Sequence, residues 1–219
     1  MVPRLGVPPS PGRIARHTVS CVTEPEIFRR AVGTLKSVRT RPEIELTEVR
    51  PPQRLAPWAY ALTAEVTGPS DELSTGRLVL LHDPDGDEAW GGVLRVVAYV
   101  RVELDHELAS DPLLPEVGWS WLTEALEQSG ARFTALGGTV TQTSSARFGD
   151  IAGPARTDDL ELRASWTALD GELAEHGTAF YELMATAVGL PPVGVTLFGQ
   201  RSSSLRMTSM KKYDLWKSQ

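Results

Sequence analysis

A single cysteine, Cys21, is all that the chain offers to thiol chemistry, which excludes a disulfide framework and any multi-cysteine zinc site. Long apolar runs are equally scarce. The longest, residues 93–102, is broken by Arg95 and Arg101 and falls well short of the ~20 apolar residues that span a bilayer. The opening residues hold Pro3, Pro8, Pro9 and Pro11 with no continuous apolar stretch behind them, so no secretory leader is expected. There is no phosphate-binding loop, dinucleotide fingerprint, nucleophile elbow or paired-histidine motif. These absences lead to the expectation of a cytoplasmic protein with no metal, no cofactor and no membrane contact, and they lean away from an enzyme.

What is there suits one folded unit. A chain of 219 residues buries roughly 70% of its unfolded surface and needs no covalent staples. Charge is unevenly spread. Residues 1–22 carry three net positive charges and residues 200–219 four, so the overall −6 leaves residues 23–199 with thirteen net negative ones. An acidic body repels phosphate backbones, so nucleic acid is not expected on the core. The expected organisation is a disordered tail over 1–22, one α+β domain over 23–199, and a disordered basic tail over 200–219.

Periodicity sets the elements. Thr23-Glu24-Pro25-Glu26 reads as a capping box opening a first helix, with Ile27, Ala31, Leu35 and Val38 as its apolar stripe and Pro42 as its limit. Strands are expected over 43–49, 58–66, 77–82 and 88–103, the last two joined by a turn at Asp83-Pro84-Asp85-Gly86-Asp87. A second helix over 116–129 stops at Gly130. Strands over 131–148 and 157–169 follow. Asp170 is the expected cap of a third helix with the stripe Leu173, His176, Phe180, Met184 and Ala187, and residues 193–198 form a last apolar segment. The order α-β-β-β-β-α-β-β-α predicts an α+β fold, a mostly antiparallel sheet of five to six strands with helices on one face.

The chain also echoes itself. Leu104-Asp105-His106-Glu107-Leu108 returns as Leu169-Asp170-Gly171-Glu172-Leu173, each at the end of an alternating run. Behind them Glu116, Gly118, Trp121 and Gly130 align with Glu175, Gly177, Phe180 and Gly189. The pattern suggests a strand–strand–helix unit used twice.

Few residues carry chemistry. Asp83, Asp85 and Asp87 have the spacing of a calcium loop, with His82 beside them, but the glycine falls at the fourth position and Leu94 occupies the twelfth, so a turn accounts for them. Glu103, Asp105, His106 and Asp111 form an acidic group that suits a metal or an acid/base pair, while capping of a helix start explains the same acids more simply. His176 on an apolar stripe reads as a core histidine. Gly137 and Gly138, with Gly91 and Gly92, offer bare backbone. The strand after them is polar on both faces, with Thr139, Thr141, Thr143 and Ser145 on one side, so it is an edge or the floor of a ligand groove. Trp119 and Trp121 lie two apart on a helix and cannot share one core, so one is expected at a contact surface.

The stretches RPEIELTEVRPPQRLAPWAYALTAEV (41–66), GRLVLLHDPDGDEAWGG (76–92), RVVAYVRVELDHELASDPLLPEVGWSWLTEAL (95–126) and FTALGGTVTQTSSARFGD (133–150) resemble an actinobacterial family known only as a domain of unknown function. The resemblance covers about residues 24–199, implies a bacterial cytoplasmic setting and transfers no catalytic residue. In topology, leaving out the short first strand, the order is also similar to that of class I type III secretion chaperones and their non-secretory relatives. That resemblance implies a small acidic protein, often dimeric, that holds extended protein segments; the extra strand and the internal echo depart from it. The expected function is a non-enzymatic module that binds a protein partner or itself. The rivals are a hydrolase or transferase built on Glu103, Asp105, His106 and Asp111, and a nucleic-acid accessory factor acting through the basic tail.

Overall fold

The computed structural model describes residues 23–67, 73–150 and 156–192. Alternating apolar residues become six strands: β1 (Ile44–Val49), β2 (Trp58–Thr67), β3 (Leu73–Asp87), β4 (Gly92–Leu104), β5 (Phe133–Ala146) and β6 (Arg156–Ala168). Every neighbouring pair is antiparallel, in the order β1-β2-β3-β4-β6-β5. Three helices, α1 (Glu26–Lys36), α2 (Leu114–Ser129) and α3 (Ala174–Ala187), complete the expected α+β order. Both predicted tails, with Cys21 and the apolar segment 193–198, lie outside the described residues.

The period of two decides which face is covered. Leu62, Ala64 and Val66 of β2, Leu78 and Leu80 of β3, Leu94 through Val102 at alternate positions of β4, and Leu160, Leu162, Ala164 and Trp166 of β6 point to the helices and form one buried cluster. Nine of the fourteen residues of α3 are buried there, including the whole predicted stripe from His176 to Ala187. On the other face the buried apolar residues are Ala61, Val79 and Leu81, beneath Val49, Ala56 and Trp90, and the buried polar ones include Asp159 and Thr167 of β6. The rest of that face is open.

Several local expectations are corrected. Helix α1 begins at Glu26 with Pro25 itself in the capping position and no side-chain cap, so the capping box does not form; its buried stripe is Phe28, Ala31 and Leu35. The β3–β4 turn lies later than predicted. Residues 83–87 remain part of β3 as an irregular stretch, with Gly86 at φ 76° and a register shift after His82, and the reversal falls at residues 88–91, where Trp90 and Gly91 donate to the Asp87 carbonyl at 3.0 Å. Gly91, at φ 66°, supplies the left-handed step of that turn. Asp170 does not cap α3. Its Oδ1 accepts from the Glu172 N–H at 2.9 Å, while Thr34 of α1 accepts from the Leu173 N–H at 2.9 Å and closes the helix start from outside.

The internal echo is partly structural. Each copy is a hairpin followed by a helix, and the hairpins lie side by side with β4 and β6 in the middle. Both helices stop at a left-handed glycine, Gly130 at φ 78° and Gly189 at φ 69°. The strands do not repeat residue for residue. The 65-residue offset of the echoed pentapeptides carries the inward residues of β4 onto Asp159, Glu161 and Arg163 of β6, which do not belong to its buried apolar stripe.

Candidate functional site

The three acids and the histidine singled out above separate into two places. Glu103 and His106, with Arg156, Thr157 and Asp158, line a cavity of about 190 Å³ at the β4–β6 end. Asp105 and Asp111, with Glu107 and Leu108, line a shallower one of about 380 Å³. The two aspartates are engaged by backbone. Asp105 Oδ1 accepts from the Leu108 N–H at 2.7 Å and Asp111 Oδ1 from the Leu113 N–H at 2.9 Å. Both bonds close turns within the loop before α2; neither helix start receives a side-chain cap, so the expected capping does not form. Among the described residues no group of three or more His, Cys, Asp or Glu side chains is placed to hold a metal ion.

The best-embedded acid in this region is Asp158. Arg156 Nε donates to its two oxygens at 3.2 and 3.1 Å, and His106 Nδ1 lies 3.5 Å away. The Ser144 hydroxyl holds its carboxyl below the usual range, helped by Arg156 and His106. Its sequence signal was parity: Asp158 shares the inward register of Leu160, Leu162 and Ala164, and an acid in that stripe needs partners. His82 is buried against Phe28, with ring centroids 5.9 Å apart, and donates from Nδ1 to the Val93 carbonyl at 2.8 Å. It belongs to the core rather than to the Asp83–Asp85–Asp87 group.

The glycine pairs do not face each other. Pairing aligns Gly137 with Ser165 and Ser165 with Val97, five residues along β4 from Gly92. At Gly138 the backbone is approached closely: a Cβ there would sit 2.3 Å from the Arg163 carbonyl oxygen and 2.9 Å from the ring of Trp119. Trp119 thus occupies the space above Gly138. Trp121 leaves the opposite flank of α2 and lines a cavity of about 320 Å³ with Ala125, Glu182, Thr186 and Leu190. Both rings are half-buried. Gly137, in contrast, has nothing within 4 Å of its would-be Cβ.

Two ion pairs lie on the open face at the centre of the sheet. Arg101 forks onto Asp159 at 3.1 and 2.8 Å, and Arg163 reaches Glu161 at 2.8 Å while covering the Tyr99 ring. Beside them, Thr139, Thr141 and Thr143 are exposed on β5. Among the described residues that strand is an outer edge, fourteen residues long, with no charged residue and no proline from Phe133 to Ala146. The other edge, β1, is six residues long, carries Glu45 and Glu48, and is tied to α1 by a Lys36–Glu48 ion pair at 2.7 Å. A short, charged edge is guarded against strand addition; a long, uncharged one is not.

No helix among the described residues is long and apolar enough to cross a membrane. A family model described as a protein of unknown function (DUF3000) matches residues 24–196. No curated protein and no solved structure matches the chain.

Proposed function

The chain belongs to the DUF3000 family of proteins of unknown function, and from its own surface we propose that it is a non-enzymatic protein-binding module, an adaptor or chaperone-like unit, that takes an extended strand along β5. The observation that carries this reading is the contrast between the two sheet edges. Unpaired N–H and C=O groups on an outer strand form a template for another strand, and natural sheets ordinarily block it with charge, proline or brevity. Here one edge has two of those devices and the other, more than twice as long, has neither charge nor proline. Edge pairing supplies main-chain hydrogen bonds, and the exposed threonines beside it accept many neighbours, which suits a binder of extended segments.

Site-specific photo-crosslinking tests the reading. A photoreactive residue at Thr141, introduced in the full chain within its host, should give a discrete protein adduct. The same probe at Thr47 on β1 should give none. An absence of any protein adduct from Thr141 in a folded chain would refute protein binding at this edge.

A further inference from the structure

Resting on that reading of β5, we infer that its occupant is a second copy of this chain, paired antiparallel along β5 with the two-fold axis at Thr141. The fold itself indicates that an outer strand of this kind accepts another. Hairpin β3–β4 with α2, and hairpin β5–β6 with α3, share one hairpin–helix arrangement, and they meet at β4 and β6. The outer edge of β3 is covered by β2 over ten residue pairs, from Thr67 opposite Leu73 to Trp58 opposite His82. The outer edge of β5, its counterpart, carries no strand among the described residues.

Self-pairing has a particular electrostatic requirement, because a two-fold axis sets a strand against its own charges. The body is strongly acidic, so most of its surface would oppose like charge to like when two copies meet. Strand β5 avoids this over its whole length, since nothing from Phe133 to Ala146 is ionisable. Strand β1 could not do the same, with Glu45 and Glu48 in six residues.

Register follows from the regular part of the strand. Pairing with β6 is irregular between Thr134 and Gly137 and continuous from Gly137 onward. Centring residues 137–145 on Thr141 places Thr139 opposite the partner subunit's Thr143, and Gly137 opposite the partner subunit's Ser145. Nine residues extend about 30 Å. The even spacing keeps all helices on one face of a continuous sheet and makes a ladder of threonine pairs on the other, a favourable cross-strand combination.

Sedimentation and light scattering of the full chain across the micromolar range provide the test. The expected mass is twice 23.8 kDa. A Thr139→Lys/Thr143→Lys variant sets lysine against lysine and should dissociate at least tenfold more readily. A Thr139→Lys/Thr143→Glu variant sets lysine against glutamate and should recover the dimer. Both sites are exposed, and circular dichroism checks that each variant is folded. A monomeric parent chain, a folded double-lysine variant that still dimerises, or a folded lysine–glutamate variant that does not, would each overturn the inference. Exchange of those amides of 137–145 that point away from β6, in the unmodified chain, is an independent reading. Protection that rises with concentration supports the pairing, and fast exchange at every concentration overturns it. The Thr141 crosslink separates the two levels of argument. A self-adduct supports both, an adduct with a different protein on a monomeric chain overturns only the self-pairing, and no adduct removes both.

Discussion

Trp166 of β6 donates its indole N–H to Nδ1 of His176 of α3 across 2.9 Å in the buried interior. Acceptance at Nδ1 fixes the neutral imidazole with its proton on Nε2. Burial pushes the His176 pKa down to about 4, with Asp170 and Glu175 pulling weakly the other way. The unfolded chain takes up a proton near pH 6.5, and the folded chain resists until about pH 4. Stability is therefore full above the unfolded value and declines as pH falls from about 6.5 to 4, by about 3 kcal/mol for this group. Urea unfolding followed by tryptophan fluorescence should show that loss, and His176→Gln, which can still accept from Trp166, should flatten it. An acid limb equally steep in both proteins would assign the loss to other groups.

Gly138 and Gly137 are neighbours with opposite tolerance. A methyl group at Gly138 meets two backbone atoms, the Arg163 oxygen and the Ala164 Cα, besides the Trp119 ring, so relief requires β5 to move from β6. Gly138→Ala should cost ~1–3 kcal/mol. Gly137→Ala has open space and should change stability by less than about 0.5 kcal/mol. Denaturant midpoints of the two variants decide the matter. Trp119→Ala removes only one of the three obstacles and should restore Gly138→Ala incompletely.

Much of the fold was legible because its elements are strongly periodic. The inward sets Leu160–Leu162–Ala164–Trp166 and His176–Phe180–Met184 fall where alternation and helical spacing put them. Element boundaries were less legible where two local signals compete. The turn residues of 83–87 serve a bulged strand because reversal four residues later still lets Asp87 receive Trp90 and Gly91. Local chemistry puts the cap of α3 at Asp170, yet the acceptor that meets the Leu173 N–H is Thr34, 139 residues away in sequence. Nothing in a local window announces such a partner. The same is true of the candidate surface. The polar strand 139–145 reads in sequence as an edge or a groove floor, and only the strand order, with β6 turning back between β4 and β5, leaves it outermost among the described strands.

A bulge near the start of β5 depends on Arg95. Its Nη1 donates to the Ala135 carbonyl and to Thr167 Oγ1, both at 3.0 Å, and its Nη2 to Ser165 Oγ at 2.7 Å, reaching across β6 from β4. Ala135 sits at φ 50°, a conformation unfavourable for a residue with a Cβ. Arg95→Ala should lower stability by ~1–2 kcal/mol and speed amide exchange at residues 134–137 before it does so elsewhere. Ala135→Gly, by contrast, relieves the strain and should raise stability by ~0.5–1 kcal/mol. If exchange in the Arg95 variant rises uniformly over the sheet, the arginine braces the whole fold rather than the bulge.

Asp105 and Asp111 offer a decision between turn closure and acid/base chemistry, because the two roles respond differently to the amide. Turn closure needs only an acceptor oxygen, which asparagine retains; proton transfer needs the carboxyl. Each aspartate accepts one backbone N–H, from Leu108 and Leu113 respectively, in the loop between β4 and α2. Asp105→Asn and Asp111→Asn should therefore unfold close to the parent, while the alanine variants should lose ~1 kcal/mol each. The residues are six apart and close separate turns, so their losses should add. A thermal melt of the alanine pair that matches the parent would mean that these bonds contribute nothing to the fold, and the acids would then need another explanation for their presence at this loop.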